Sequence, residues 1–451
     1  MNPGIFREYD IRGVAGVDFS EDDVKLIGRA YGTMLRGQGR KRLSVGRDCR
    51  ETSEAYSRSF IEGILSTGCD VVDIGVCPTP VLYFSIQHLE LEGGGMVTAS
   101  HNPPEYNGFK LMSGTDSIHS QGLQDIRKII QSGEYENGQG RLTTADVLTP
   151  YMAQIQDNIS LKAPLRVGVD AGNGTGGVTA LPVLKALGCE VHDIFCDMDG
   201  RFPNHEADPT QKKNLTQLID LVKKENLDIG IGYDGDADRI GVVDRHGNVI
   251  YGEQLMVIYA REILSRNPGA TFISEVKCSM VMYEDIEKHG GRAIMWRTGH
   301  SLIKQKMKEE NAALAGEMSG HMFFKDRYYG FDDALYASCR LLEIMADTGK
   351  GVDELIADLP RTFTTPEIRV ECPDDIKFKA VEKIVAHFKA RQKVIDIDGL
   401  RALYPDGWGL VRASNTQPAL VLRFEALTPE RLDEIRTEIE TTLETIIKEM
   451  G

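Results

Sequence analysis

Apolar residues fall into short runs that alternate along the chain with stretches of helical periodicity. Three segments repeat the order strand, helix, strand. The first comprises residues 43–48, 57–66 and 68–74, and the second comprises residues 165–170, 181–187 and 188–194. The third comprises residues 270–274, 280–289 and 292–296. Strands that alternate with helices predict α/β sheets with right-handed crossover connections. The segments STGCDVVDIG at 66–75 and ALGCEVHDIF at 186–195 are similar. We therefore expect three related α/β domains.

The last part of the chain has a different pattern. Two strands, 408–411 and 419–426, are joined by a polar loop, and apolar residues in the second alternate with positions that include Arg423 and Glu425. This alternation predicts a half-buried strand. A final helix carries one apolar face, formed by Leu432, Ile435, Ile439, Leu443 and Ile446. We expect a separate α+β domain that begins near residue 361.

Length and composition indicate a soluble, multidomain protein. The 451 residues exceed the roughly 250–300 residues over which one hydrophobic core grows. No apolar run approaches the ~18–20 residues of a membrane span, and the N-terminus lacks the basic and apolar order of a signal peptide. The eight cysteines include no C-x-x-C pair, which indicates reduced thiols. We expect a cytoplasmic enzyme that does not bind membranes.

The net charge of −16 excludes the class of proteins that bind nucleic acid through a basic face. It also constrains the substrate. An anionic substrate would require basic residues gathered locally against the field of the whole chain.

A serine stands in a stiff turn after the apolar segment 95–97. The serine loop, residues 98–104, reads TASHNPP and contains Ser100 and His101. Proline fixes φ, so the hydroxyl is held in place, but a serine hydroxyl is a weak nucleophile without activation. Serine and asparagine also favour ordinary turns. The sequence does not contain G-x-S-x-G, so a hydrolase elbow is not favoured.

Three carboxylates occur at alternate positions of a second loop. The aspartate loop, residues 233–239, lies between apolar strands and contains Asp234, Asp236 and Asp238. Carboxylates this close repel each other without a cation, and their oxygens suit a hard cation such as Mg²⁺. An EF-hand is excluded, because Arg239 and Arg245 stand where that loop requires glycine and glutamate.

Two further loops are polar enough to bind a ligand. The glutamate loop, residues 316–321, reads GEMSGH and could recognise sugar hydroxyls, although the loop taken alone favours a simple strand-to-helix turn. The C-terminal polar loop, residues 412–418, reads RASNTQP. Its guanidinium, hydroxyl and amide groups could surround a phosphate, or the segment could be an ordinary hairpin loop.

A glycine-rich turn supports a rival hypothesis. Gly172, Gly174 and Gly177 satisfy G-x-G-x-x-G, and Asp193 follows about 20 residues later, as in a dinucleotide-binding fold. However, Asp73 occupies the equivalent position of the first repeat, where no glycine loop exists. An NAD-dependent dehydrogenase would also leave the serine and aspartate loops without a role. No P-loop kinase motif occurs.

Taken in order along the whole chain, TASHNP, DGDADR, GEMSGH and RASNTQP resemble the phosphoserine, metal, sugar-recognition and phosphate-binding loops of the α-D-phosphohexomutase superfamily. Within it, the chain resembles the bacterial phosphomannomutase/phosphoglucomutase group. The resemblance implies three related α/β mixed-sheet domains plus a C-terminal α+β domain around a central cleft. The expected boundaries are 1–147, 148–248, 249–360 and 361–451.

The resemblance also implies a role for each matching residue. Ser100 would carry the transferred phosphoryl group, and Arg239 would offset its charge. A bound Mg²⁺ would be held by Ser100, Asp234, Asp236 and Asp238. The phosphoserine would be flanked by His101 and Lys110. The candidates for moving protons to and from the sugar hydroxyl would be Lys110, Arg12 and His321. The sugar hydroxyls would be held by Glu317 and Ser319. Other cleft positions that match are Tyr9, Lys277 and His300, and the phosphate not being transferred would be held by Arg412, Ser414, Asn415 and Thr416.

The implied activity is reversible phosphoryl transfer between C1 and C6 of a hexose phosphate, through phosphoserine and a hexose 1,6-bisphosphate. The 3- and 4-hydroxyls of mannose and glucose are alike, so we expect both sugar phosphates as substrates. A phosphoglucosamine mutase is the alternative within the superfamily, but it usually has glutamine where Met318 stands. A dehydrogenase and a catalytically idle binding protein are alternatives of other classes. The expected partner is a small phosphosugar.

Overall fold

The computed structural model describes residues 1–414 and 418–450, whose strands form four sheets. The strands of the first sheet are β1 Ile11–Val14, β2 Arg42–Arg47, β3 Asp70–Val76, β4 Gly93–Val97, β5 Tyr106–Ser113, β6 Asp116–Ser117 and β7 Leu142–Thr144. Their order is β1-β5-β4-β2-β3-β7, with β6 on β5. The helices of this part are α1 Glu21–Gly37, α2 Ser53–Leu65, α3 Thr79–His88 and α4 Gln121–Ser132, and α5 Leu148–Asn158 leads to the second sheet.

The second and third sheets are smaller. The second contains β8 Arg166–Asp170, β9 Glu190–Ile194, β10 Ile229–Tyr233, β11 Ile240–Asp244 and β12 Val249–Ile250, with α6 Gly177–Ala186 and α7 Thr216–Glu225. The third contains β13 Thr271–Glu275, β14 Arg292–Trp296, β15 Leu314–Gly316 and β16 Met322–Phe324. Its helices are α8 Gly252–Arg266, α9 Met280–Lys288, α10 His300–Glu310, α11 Ala334–Thr348 and α12 Val352–Leu355.

These three sheets share one topology, which confirms the predicted mixed-sheet α/β class. Each predicted repeat forms a parallel pair, namely β2 with β3, β8 with β9 and β13 with β14. An antiparallel hairpin lies beside each pair, formed by β4 and β5, by β10 and β11, and by β15 and β16. The serine, aspartate and glutamate loops are the turns of these three hairpins. The repeated fold therefore carries its chemistry at equivalent positions.

The C-terminal part is an antiparallel sheet with helices, as predicted. Its strands are β17 Phe363–Thr364, β18 Ile368–Glu371, β19 Val394–Ile395, β20 Leu400–Tyr404, β21 Gly407–Ala413 and β22 Ala419–Ala426. Its helices are α13 Asp374–Lys389 and α14 Pro429–Lys448, and the apolar face of α14 packs into the core of this part.

The prediction that strand 419–426 is half-buried was wrong, because the whole of β22 is buried. Arg423 pairs with Glu253 of the third domain at 2.8 Å. Glu425 accepts hydrogen bonds from the Trp408 indole at 2.7 Å and from the main chain of Met280 at 3.2 Å. The polar face of the strand therefore packs against another domain, which alternation within one strand cannot reveal.

The apolar core is continuous across the middle of the molecule. One cluster joins α3 and α5 to the sheets and helices of the second and third domains, and separate clusters lie under the first sheet and in the C-terminal part. Across residues 1–414 and 418–450, every helix is too short or too polar to cross a membrane.

Helices α1 and α2 lie so close together that glycine is required at their contact. A Cβ atom added at Gly28 would lie 2.2 Å from the main-chain oxygen of Phe60. We expect Gly28→Ala to lower the free energy of unfolding by about 1–3 kcal/mol, because the helices must separate. Urea unfolding followed by circular dichroism measures this loss.

Gly37→Ala is the matched control on the same helix, because nothing lies within 4 Å of an added Cβ there. Alanine favours helix, so this variant should keep or gain up to about 1 kcal/mol. Equal stability of Gly28→Ala and Gly37→Ala would contradict the close helix contact.

Candidate active site

The serine and aspartate loops meet at a buried contact between the first two domains. Ser100 Oγ donates a hydrogen bond to Asp234 Oδ2 at 2.7 Å and lies 3.0 Å from His101 Nδ1. Lys110, on β5, places its ammonium 2.7 Å from Asp236 Oδ2 and also in contact with Asp238. The serine that the sequence singled out thus lies beside the three predicted carboxylates.

Ser100 adopts a backbone conformation that few residues other than glycine accept. Its φ is 51°, and holding a non-glycine residue there costs of the order of 1–3 kcal/mol unless the surroundings enforce it. Its amide donates to Thr98 Oγ1 at 2.9 Å. Across the interface, a Cβ at Gly235 would lie 2.5 Å from the main-chain oxygen of Ser100, so the aspartate loop approaches the serine loop closely.

Arg50, which sequence reasoning missed, fixes the serine loop. Its buried guanidinium pairs with Asp48 at 3.1 Å. It also donates, at 2.8, 2.6, 2.5 and 3.0 Å respectively, to the main-chain oxygens of Ser100, Asn102, Pro103 and Tyr106. The loop is therefore rigid because a distant arginine satisfies its carbonyl groups, and not only because it contains prolines. The only signal for Arg50 in the sequence was its position two residues after Asp48, which ends the predicted strand 43–48.

The three carboxylates of the aspartate loop are fully buried. Burial and the neighbouring carboxylates raise the pKa of Asp234 and of Asp238. Burial also acts to raise the pKa of Asp236, but the charge and the hydrogen bond of Lys110 outweigh burial. The pKa of Asp236 is therefore lowered. The cluster therefore retains negative charge, but only through a paired ammonium.

The same three carboxylates fit a metal ion. One oxygen from each residue lies within 4.8 Å of the others. Asp236 Oδ1 and Asp238 Oδ1 are buried and have no hydrogen-bond partner within the described chain. Buried carboxylate oxygens without donors are the ligands that hard divalent cations prefer.

A fourth buried carboxylate, Asp332, was also missed. Its oxygens lie 3.1 Å from Lys304 Nζ and 3.1 Å from His321 Nδ1. His321 Nδ1 and Asp332 Oδ2 are both buried, and neither has another hydrogen-bond partner among the described residues. Burial opposes ionisation of Asp332, but Lys304 and His321 outweigh it and hold its pKa well below the usual range. Asp332 and the adjacent Asp333 lie in a segment that matches no known motif, so nothing in the sequence singled out Asp332.

The contacts of His321 determine which of its nitrogens carries the proton. Arg239 Nε donates to His321 Nε2 at 2.9 Å. An acceptor nitrogen carries no proton, so this contact places the ring proton on Nδ1, the nitrogen 3.1 Å from Asp332. The main chains of Arg239 and His321 also form a β-bridge, which joins the aspartate loop to the glutamate loop.

The glutamate loop is held by the segment before α10. Gly299 donates its amide to Glu317 Oε1 at 2.8 Å, and Ser319 Oγ donates to Glu317 Oε2 at 3.3 Å. The adjacent His300 stacks on His321 with ring centroids 5.5 Å apart. The histidines therefore connect the glutamate loop to the serine and aspartate loops.

Residues of the first domain reach across to the third. Arg12 donates to the side chain of Asn102 at 2.6 Å and pairs with Asp10, which brings it beside the serine loop. Tyr9 donates to the main-chain oxygen of Thr298 at 2.7 Å. Arg12 thus contacts the serine loop directly, whereas Tyr9 contacts the third domain.

The C-terminal part contributes a second basic group. Arg412 pairs with Asp398 at 3.0 Å, and Asp398 accepts the amide of Thr298 at 3.1 Å. Asp398 was not predicted. Lys277 lies 3.3 Å from Glu367, and the charge of Arg412 acts on its pKa, so the two cations are neighbours.

Of the C-terminal polar loop, Arg412 and Ser414 are described. Ser414 is buried, and its main-chain oxygen accepts from Lys377 Nζ at 2.6 Å. Asn415 and Thr416, which were predicted to hold phosphate, lie outside the described residues.

The glycine-rich turn after β8 supports the aspartate loop. A Cβ at Gly174 would lie 2.5 Å from the main-chain oxygen of Gly235, and one at Gly177 would lie 2.3 Å from that of Cys196. These glycines permit the close approach of the protein's own backbone. The dinucleotide-binding hypothesis is not favoured.

Comparison with known families gives a match in each part of the chain. Residues 3–137, 149–247 and 251–363 match the phosphoglucomutase/phosphomannomutase alpha/beta/alpha domains I, II and III. Residues 367–442 match the C-terminal domain of the same proteins.

Whole-chain relatives give the same result. The chain is 44% identical over 443 residues to a phosphomannomutase/phosphoglucomutase of Pseudomonas aeruginosa, which covers 98% of this chain and 96% of that protein. It is 42% identical over 446 residues to a phosphoglucomutase of Neisseria meningitidis, again covering 98% and 96%. A crystal structure of a phosphoglucomutase/phosphomannomutase family protein from Burkholderia thailandensis superposes with a TM-score of 0.94 at 42% identity, covering 99% of this chain and 98% of that one.

The electrostatics of the site predict two histidines that stay neutral at pH 7. Burial, and then the charges of Arg239 and Arg12, lower the pKa of His101 well below its ordinary value. Burial likewise lowers the pKa of His300. A lowered pKa means that protons are taken up only as the pH falls well below about 6.5. Titration of the histidine ring signals by NMR should show neither ring gaining a proton between pH 8 and 6.

His205 is the internal control for this titration. Burial lowers its pKa, but the hydrogen bond and charge of Asp170, 3.0 Å away, outweigh burial and raise it. Its ring should therefore gain a proton at higher pH than a free histidine. A His101 signal that titrates together with His205 would contradict the described surroundings of His101.

Proposed function

The chain belongs to the phosphoglucomutase/phosphomannomutase family, and from that premise we propose that it transfers a phosphoryl group reversibly between C1 and C6 of hexose phosphates. The proposed substrates are mannose 1-phosphate and glucose 1-phosphate with their 6-phosphates. One observation carries the proposal: Ser100 Oγ lies 2.7 Å from Asp234 in a loop held rigid by Arg50. A serine held in this way can present a phosphoryl group in one fixed position.

In the proposed cycle, Ser100 begins as phosphoserine. The bond between Ser100 Oγ and phosphorus breaks while the free sugar hydroxyl forms a bond to the same phosphorus. The hydroxyl proton passes to a base, and the departing Ser100 oxygen takes up a proton. The resulting hexose 1,6-bisphosphate turns in the cleft and returns its other phosphoryl group to Ser100, so that no phosphate is lost.

Among the candidates for moving protons, His321 fits the role of base best. Its Nε2 is an acceptor nitrogen, which takes a hydrogen bond from Arg239 Nε in this structure. Lys110 is less suitable: burial acts to lower its pKa, but the charges of Asp236 and Asp238 outweigh burial and raise it. Arg12 offers N–H donors and no acceptor atom. We therefore assign electrostatic stabilisation to Lys110, Arg12 and Arg239, and contact with the phosphoserine to His101.

The proposed metal is Mg²⁺, held by Ser100 and the three aspartates of the aspartate loop, Asp234, Asp236 and Asp238. The unpartnered buried oxygens of Asp236 and Asp238 support this choice. When bound, Mg²⁺ would offset negative charge on the transferring group. The ammonium of Lys110, which lies 2.7 Å from Asp236, offsets part of the same charge.

The remaining predicted residues are proposed to bind substrate. Glu317 and Ser319 would hold the 3- and 4-hydroxyls, because their oxygens lie in the same hairpin loop as His321 and contact each other there. The phosphate not being transferred would be held by Arg412, Ser414, Asn415 and Thr416, with Lys277, Tyr9 and His300 nearby. The contact of Arg412 with Asp398 keeps its guanidinium oriented toward this part of the cleft.

We further propose a cytoplasmic location and domains at 1–147, 148–248, 249–360 and 361–451. The last boundary is supported by β17, which starts at Phe363 and pairs with β22 of the C-terminal sheet. A hexose 1,6-bisphosphate would act as activator, because it restores phosphoserine.

Phosphorus NMR tests the activity directly. Mannose 1-phosphate and glucose 1-phosphate are incubated separately with the protein, Mg²⁺ and a trace of the corresponding 1,6-bisphosphate. We expect both 6-phosphates to appear and the reaction to stop when Mg²⁺ is chelated. Release of inorganic phosphate alone would indicate a phosphatase, and comparable turnover of glucosamine 6-phosphate would indicate a phosphoglucosamine mutase. No conversion of any sugar would contradict the proposal.

Ser100→Ala should abolish nearly all turnover in this assay, because the variant has no hydroxyl to donate the phosphoryl group to the sugar phosphate and to recover it from the bisphosphate. Ser160→Ala, at an exposed position, should retain full activity. The two variants should share one circular dichroism spectrum. Unimpaired turnover by Ser100→Ala would remove Ser100 from the mechanism.

Asp236→Asn should weaken the dependence of turnover on Mg²⁺ and lower the rate by about 10²-fold or more, because one anionic ligand is lost. Asp199→Asn is the control, since Asp199 lies in an exposed turn with Arg201. The measurement is the initial rate as a function of Mg²⁺ concentration. An Mg²⁺ titration curve shared by Asp236→Asn and the unmodified protein would exclude Asp236 as a ligand.

A further inference from the structure

A cavity of about 210 Å³ lies between the first and third domains, apart from the loops of the active site. Helix α3 and the turn between β5 and β6 form one wall, and helix α10 with the segment after β16 forms the other. None of the side chains assigned to the reaction lines it. Its wall nevertheless includes Lys304, which pairs with Asp332 behind His321.

The cavity contains buried hydrogen-bond donors without acceptors. The Lys304 side chain is 9% exposed, and within the described residues its ammonium makes one hydrogen bond, to Asp332 at 3.1 Å. An ammonium has three N–H groups, so two remain. The ammonium also lies 4.4 Å from the ring centroid of Tyr83. The buried hydroxyl of Tyr83 has no hydrogen-bond partner among residues 1–414 and 418–450.

Leaving such donors unpaired is costly. An unsatisfied buried hydroxyl costs of the order of 1–3 kcal/mol, and a charged group costs more. A cavity with room for a ligand can satisfy these groups only if the occupant supplies acceptor atoms. The deep part of the cavity therefore favours an anion.

The mouth of the cavity adds positive charge. Lys308 and Lys325 line it and are exposed. Lys308 is held by Thr115 Oγ1 at 3.0 Å and by Asp116, and Lys325 by Asn311 at 2.7 Å. With Lys304, three lysines and no acidic residue line the cavity, in a chain whose net charge is −16. Lys304 and Lys308 also pair with Asp332 and Asp116, whereas Lys325 bonds the neutral side chain of Asn311, so the cavity has a positive mouth that attracts an anion.

The rest of the wall is apolar and aromatic, with Met112, Met307 and Phe331 among its residues. The rings of Tyr83 and Phe331 have centroids 5.5 Å apart. Apolar walls with a few converging polar groups are typical of sites for small organic molecules. The occupant should thus combine one anionic group with a compact apolar body.

We propose that this interdomain cavity binds a small organic anion, a phosphate monoester or a carboxylate, with the charged group against Lys304 and the Tyr83 hydroxyl. Lys304 is then shared between the anion and Asp332. Because Asp332 also faces His321 at 3.1 Å, occupancy changes the field at the proposed base, so we expect turnover to respond.

Isothermal titration with phenyl phosphate and with benzoate tests the site, using the full chain with an excess of glucose 1-phosphate to fill the catalytic cleft. Only this use of glucose 1-phosphate rests on the proposed function. We expect one or both probes to bind. Tyr83→Phe should weaken binding about tenfold or more, the effect of losing one hydrogen bond to a charged group. Lys308→Met should weaken it about threefold, the effect of an exposed charge.

Lys306→Met is the matched control, because Lys306 lies on the same helix, pairs with Glu309 and Glu310, and does not line the cavity. It should leave the affinity unchanged. Binding of phenyl phosphate alone would identify a phosphate site, and binding of benzoate alone a carboxylate site.

Three results would overturn the proposal. The first is that neither probe binds, and the second is that glucose 1-phosphate displaces the probe, which would place the probe in the catalytic cleft. The third is that the Tyr83→Phe and Lys308→Met variants bind the probe as tightly as Lys306→Met does. The coupling is tested separately by measuring kcat at saturating sugar phosphate with and without the probe. A bound probe that leaves kcat unchanged would overturn the link through Asp332. None of the binding results depends on whether the protein turns over a sugar phosphate.

Discussion

Four aspartates are fully buried where the first three domains meet, and the arrangement of those domains depends on neutralising them. They are Asp234, Asp236, Asp238 and Asp332. A buried charge that loses its partner costs about 3–5 kcal/mol. The compensating cations come from three domains, because Lys110 lies on β5, Arg239 in the aspartate loop and Lys304 on α10. The three domains can therefore pack together only if these charges are paired, and the pairing of the charges is what forms the site.

The repeated topology explains how separate loops reach the same point. In each of the first three domains the functional turn joins the two strands of the hairpin that flanks the parallel pair. The chemistry differs because the turn sequences differ, with a hydroxyl in the first, carboxylates in the second and a glutamate with a serine in the third. A common scaffold with variable loops is the general way in which folds acquire function.

Elements and loops with local signals could be predicted from the sequence. The three strand–helix–strand units and the serine, aspartate and glutamate loops depend on periodicity and on short motifs, which are local properties. Asp332 and Asp398 could not be predicted, because each acts on residues distant in the chain and neither forms part of a motif. Arg50 had only the weak signal of its charged pair with Asp48, which does not reveal the loop that it holds. The half-buried interpretation of β22 failed for the same reason, since packing between domains buried its polar face. Long-range pairing of single charged residues leaves no pattern in one sequence.

Charge balance also explains why so many cations surround one serine. A phosphoryl group on Ser100 would add about −1.5 to −2 charges beside Asp234, whose carboxylate is already buried and 2.7 Å from the serine oxygen. Burial and neighbouring carboxylates raise the pKa of Asp234 even without that group. The added charge can be accommodated only by cations that are not fully committed to the aspartates. Two such cations lie beside the serine and aspartate loops. Arg239 donates its Nε to His321, and Arg12 donates to the side chain of Asn102 in the serine loop. Because Nε of Arg239 donates to His321, the Nη groups of the same guanidinium are the donors that a phosphoryl group on Ser100 would use.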